Sequence, residues 1–124
     1  MELILKQENQ QQHDILDVLL DAIDNEDINL VKEIVGNQID LEEDIGEGAT
    51  ILMRACGVGS IKAVKFLVGL GANVNVRSGA DFALSNAAIE GYKEIYDYLY
   101  PLTNPTLRVI AEDTLSFSQR RIQP

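Results

Sequence analysis

The sequence predicts an all-α fold: an α-solenoid of about three stacked helix-turn-helix units, with short β-hairpin or loop fingers and a C-terminal capping helix. Three observations predict it. The chain resembles itself at a period of 32–33 residues, the spacing of a stacked array. Gly59 and Gly91 fall at the same place in two copies, where a tight turn between helices calls for positive φ. Apolar residues on either side of those turns follow helical spacing.

The elements follow in chain order. Lys6 to Gln12 is polar and glutamine-rich, a frayed end or a helix lead-in. Residues 13–45 form the first unit. Its first helix places Ile15, Leu16, Leu19 and Ile23 opposite a stripe of Asp14, Asp17, Asp21 and Asp24. Residues 46–77 form the full unit, with a first helix from Thr50-Ile51-Leu52-Met53 and a second carrying Val64, Phe66, Leu67 and Val68. Residues 78–101 form the third unit, ended by Pro101, since an interior proline loses a hydrogen bond and clashes with the turn before it. Asn104 and Pro105 then read as N-cap and first position of a terminal helix over 104–115, with Leu107, Ile110, Ala111 and Leu115 on its apolar side. Residues 116–124 are expected to be a tail.

The copies align residue by residue. Leu52, Ala55, Gly59 and Leu67 recur as Leu84, Ala87, Gly91 and Leu99. Leu19, Ala22, Glu26, Val31 and Ile34 precede them in the matching places. No unit can bury its apolar face alone, whereas stacked neighbours can. The middle unit resembles an ankyrin repeat: Thr50-Ile51-Leu52-Met53 stands where that family has T-P-L-H, Ala55-Cys56 fills its paired-alanine position, and Gly71-Ala72-Asn73-Val74-Asn75 is close to G-A-D-V-N. The resemblance covers roughly residues 13–101. The outer units depart from it. Glu26 and Ile23 replace the interhelix glycine and second alanine of the first unit, and Phe82 stands at a threonine position in the third. Both read as caps, because the outer face of an end unit meets water.

Composition narrows the function. The 124 residues suit one domain, and 46% apolar content supports a core. Twenty acidic against ten basic side chains, net −10, argue against binding nucleic acid or an anionic membrane, both of which require Lys and Arg. The N-terminus lacks a secretory pattern and no apolar run reaches spanning length, so a cytoplasmic protein is expected. A single cysteine, Cys56, precludes an intrachain disulfide and a zinc–thiolate cluster. His13 is the sole imidazole and lies far in repeat order from Cys56, Ser60 and Ser85, so a nucleophile–His machine is not expected. Gly57-Val58-Gly59-Ser60 lacks the spacing of a phosphate loop, and Asp40 to Asp44 lacks that of an EF-hand. Neither an enzyme, a metal nor a cofactor is expected.

The charge is divided. Residues 1–47 carry −12, residues 48–78 carry +4 from Arg54, Lys62, Lys65 and Arg77, and the remainder carries −2. The acidic stripe of the first helix, with Asp40 to Glu47, reads either as a solubilising cap or as a surface for a basic protein. The resemblance implies a partner surface of finger tips and exposed first-helix positions: Asp21, Asp24 and Asn25; Glu43, Glu47, Ala49, Met53, Gly57 and Val58; Arg77, Ser78, Asp81, Ser85, Ile89 and Glu90. A monomeric adaptor or inhibitor of another protein is the expected function, in one form an immunity protein against a basic toxin. The alternative is a self-associating scaffold, acidic end to basic middle. Tyr92, Tyr96 and Tyr100 share a helix face, read first as packing against the terminal helix and second as a partner surface. Tyr98 is expected to carry the more exposed ring.

Overall fold

A computed structural model describes the backbone of residues 15–38 and 40–122, and the side chains of 15–35 and 40–115. His13, Asp14 and the lead-in from Lys6 lie outside the described residues. The helices are α1 (residues 15–24), α2 (Ile28–Gln38), α3 (Ile51–Val58), α4 (Ile61–Gly69), α5 (Ala83–Glu90), α6 (Lys93–Leu99) and α7 (Pro105–Ile122), with a 3-10 turn at Tyr100–Leu102 between the last two. Each unit is a helix pair, and the all-α solenoid is observed. The first helices α3, α5 and α7 pack in one row, and the second helices α2, α4 and α6 in another.

Local chemistry starts and stops each helix. The Thr50 hydroxyl accepts from the Met53 N–H at 3.3 Å, capping α3, and the Ser60 hydroxyl accepts from the Ala63 N–H at 3.2 Å, capping α4. Phe82 cannot cap α5. The Ser85 hydroxyl reaches back to accept from the Phe82 N–H at 3.0 Å, the half of a capping box that does not depend on Phe82's side chain. Gly59 and Gly91 end α3 and α5 at φ +86° and +80°. Glu26 takes the same left-handed turn at φ +55°, a conformation that costs a residue with a Cβ about 1 kcal/mol.

One apolar core runs the length of the stack. Leu19, Leu52, Leu84 and Leu107 occupy its first-helix row, with Val31, Leu67 and Leu99 from the second. Small residues at Ala22, Ala55, Ala87 and Ala111 let the first helices approach.

The period reaches the polar contacts. Asp40 and Asn73 make the same turn, each side chain accepting the N–H two residues on at 2.9 Å. Glu42 then accepts from the Asn73 N–H at 3.1 Å, and Asn75 accepts from the Asn104 N–H at 2.8 Å. Each loop is thereby tied to the next. On the second row, Lys32 lies 5.8 Å over the Phe66 ring and Lys65 5.6 Å over the Tyr98 ring.

Two expectations change and one is narrowed. Among the described residues there is no strand, so of the hairpin or loop fingers expected the loop form is present. The Asp44 carboxylate accepts from Gly46 and Gly48 at 2.7 and 3.0 Å, satisfying amides a hairpin partner would otherwise take. In the second finger only Ser78 and Asp81 pair, through reciprocal bonds of 2.8 and 2.9 Å. The terminal helix continues to Ile122, through residues expected as tail. The Tyr98 ring is half-buried beneath Lys65 rather than exposed.

α7 also does more than cap. Asn104 sits where Asn73 sat one unit earlier, but the chain enters a helix at once, with the Asn104 side chain accepting from the Leu107 N–H at 2.9 Å. The finger is skipped. Leu107, Ile110 and Ala111 match Leu84, Ala87 and Ala88 at an offset of 23 residues. α7 is therefore the first helix of a fourth unit, entered without a finger.

Candidate protein-binding site

A groove of ≈ 440 Å³ opens across the middle of the stack. Ile45, Gly46 and Ala49 line it from the first finger, Met53, Arg54, Gly57 and Val58 from α3, and Asp81 and Asn86 from the third unit. Two neighbouring segments and a third from the following unit thus share one concavity. Gly46 and Gly57 leave it open, since a Cβ at either would meet nothing within 4 Å.

The fingers that frame the groove brace each other. The Ser78 hydroxyl donates to the Glu47 carbonyl at 2.6 Å, and a Cβ on Gly48 would fall 2.6 Å from that same hydroxyl. Glu47 itself adopts φ +53°. Arg77 is turned onto its own loop, its Nε donating to the Gly79 carbonyl at 2.7 Å.

Arg54 meets Asp24 across the first two units, Nε to Oδ1 at 3.0 Å and Nη2 to Oδ2 at 2.6 Å. This hydrogen-bonded pair holds the Asp24 carboxyl below the usual carboxylate range, against a smaller opposing push from burial, and raises the guanidinium. Both side chains stay over a third exposed at 43% and 34%, so the pair fixes geometry more than it adds stability. The boundary between acidic first third and basic middle is therefore closed by an internal ion pair. Lys62 and Lys65 lie on α4, in the other helix row.

Of the residues expected to face a partner, Ala49, Met53, Gly57, Val58 and Asp81 line this groove. Asp21, Asp24, Asn25, Glu43, Glu47, Arg77, Ile89 and Glu90 are exposed around it or along the same row, and Ser78 is half-buried. Ser85 is placed differently, 2% exposed, and Met53 at the equivalent place lines the groove while only 3% exposed, because the outward position of each first helix lies one residue further on. That register is Asp21, Arg54 and Asn86. Arg54, Asn86, Ile45 and Gly46 were missed. The repeat period contained the signal, since Asp21 already occupied their place in the first unit. The Asn86 amide donates to the Met53 carbonyl at 3.4 Å, joining the two helices beneath the groove.

The remaining candidates take structural roles. Cys56 is fully buried and burial pushes its thiol up to about 12, far from a reactive thiolate. Tyr96 is buried and its ring lies 5.7 Å from that of Tyr100, whose hydroxyl donates to Glu112 on α7. That hydrogen bond raises the Tyr100 hydroxyl, and burial raises that of Tyr96. Arg108 bonds the carbonyls of Tyr100 and Pro101 at 2.9 and 3.0 Å and covers the Tyr100 ring. Two of the three stripe tyrosines thus pack toward α7. Tyr92 instead lies over Gly59, within 2.8 Å of where a Cβ would stand. Among the described residues, no helix is long and apolar enough to cross a membrane.

The family model for ankyrin repeats, in three copies, matches residues 10–108. No curated protein matches the chain.

Proposed function

The chain belongs to the ankyrin repeat family, whose repeats are generic and typically non-enzymatic protein-interaction modules, and from that premise we propose that it is a monomeric adaptor or inhibitor binding a basic protein in the groove across α3. The observation that carries this reading is the three-segment groove with small residues at Gly46, Ala49 and Gly57. A preformed concavity on braced fingers lowers the ordering cost of binding. Asp21, Glu43, Glu47 and Asp81 supply the charge that would attract a cationic partner and speed its encounter. An immunity protein against a basic toxin such as a nuclease is one form of this role. Neither nucleic acid nor membrane enters it, nor does catalysis, and the setting is cytoplasmic. Self-association through the middle unit's cations draws less support, because Arg54 is engaged with Asp24 within the chain.

Two variants test the reading against a partner isolated from the native host. Gly57→Arg projects a side chain into the groove from open space and should abolish binding without unfolding the protein. Asp21→Lys with Glu43→Lys and Glu47→Lys should slow association about tenfold at low salt while changing dissociation little. Full binding by Gly57→Arg would remove the groove from the interface, and an unchanged association rate would remove the basic partner.

A further inference from the structure

A second cavity, ≈ 640 Å³, lies at the other end of the first-helix row. Ala87, Ala88 and Ile89 line it from α5, Tyr92 and Tyr96 from α6, and Leu115 from α7. Its origin lies in the repeat. At the turn after α3, Gly59 is covered by the Tyr92 ring of the following unit. At the equivalent turn after α5, nothing lies within 4 Å of a Cβ on Gly91. The fourth unit should have supplied the cover. By the 23-residue offset, Thr114 and Leu115 stand where Gly91 and Tyr92 stood. Thr114 is not a glycine, its hydroxyl donates to the Ile110 carbonyl at 3.2 Å, and α7 runs on as helix instead of turning. Leu115 is left at the cavity edge, and among the described residues no ring lies over Gly91.

The rim is charged. Glu90, Lys93 and Asp97 line the same cavity. Lys93 is held by Asp97 at 2.7 Å. Glu90 makes no ion pair among the described residues, so the rim has a carboxylate in excess.

We propose that this cavity binds a short segment of a partner protein that carries an aromatic residue next to a basic one. The ring takes the place over Gly91, as Tyr92 takes it over Gly59, and the cation meets Glu90 at the rim. The site is distinct from the groove across α3 and does not depend on it.

The test is a titration of the ¹⁵N-labelled full chain with the blocked dipeptide Ac-Tyr-Arg-NH2, followed by amide shifts. Saturable shifts are expected at Ile89, Gly91 and Tyr92, with affinity about fivefold weaker for Ac-Tyr-Glu-NH2 and for Ac-Ala-Arg-NH2. Glu90→Lys, at an exposed position, should reverse the preference between Arg and Glu. The Gly57→Arg variant should bind as the parent does, which separates this site from the groove. Shifts confined to residues around Met53, equal affinity for all three dipeptides, or a preference that Glu90→Lys leaves unchanged would overturn the proposal.

Discussion

The turns at Gly59 and Gly91 are built alike and sit in different surroundings. Both glycines have φ near +80°, and both end an eight-residue first helix. One is roofed by Tyr92, and among the described residues nothing covers the other. The first unit makes the same turn with Glu26. The three positions separate two demands that a repeat places on one residue. Backbone conformation is local and recurs at every turn. Steric room depends on the next unit, so it is lost only where a next unit brings a ring.

That separation can be broken by substitution. Gly59→Ala adds left-handed strain and drives a methyl into the Tyr92 ring, and should cost about 3 kcal/mol in urea unfolding. Gly91→Ala adds strain alone and should cost about 1–1.5 kcal/mol. Equal costs would mean the Tyr92 ring yields freely. Glu26→Gly runs the other way. It relieves strain at the first turn and should stabilise by about 0.5–1 kcal/mol, less the entropy that glycine adds to the unfolded chain. A loss of stability on that change would show that the Glu26 side chain contributes contacts of its own.

The smallest effect concerns the seam between the first two units. The Arg54 hydrogen bonds lower the folded pKa of Asp24, so the pair's stabilisation is present above the unfolded value near ~3.9 and is lost as pH falls through the folded one. Exposure limits it to about 0.5 kcal/mol. Asp24→Asn should therefore be slightly less stable than the parent at pH 7, with the difference vanishing in acid. A difference that persists in acid would place its cause in packing rather than charge.

Much of this architecture was legible before folding. The period, the glycine turns, the leucine rows and the Asn104-Pro105 helix start are all local or periodic signals. Each was readable because a helix repeats its face every three or four residues and a stacked unit repeats its neighbours. The site was less legible. Met53 lines the groove and Ser85 does not, while Arg54 and Asn86 beside them do, because a single side chain does not announce which way it points. Ser85 is buried as Met53 is at the equivalent place, because that register faces the stack, and its hydroxyl accepts from the Phe82 N–H three positions back.

Spacing and composition fix the stack, its order and its net acidity. Where the charge acts, and which turn is covered, depends on contacts between units. Arg54 is spent on Asp24, thirty positions away. Among the described residues no ring lies over Gly91, where α7 does not turn at Thr114. Both facts are relations between units, and a period describes each unit without saying what the next one covers.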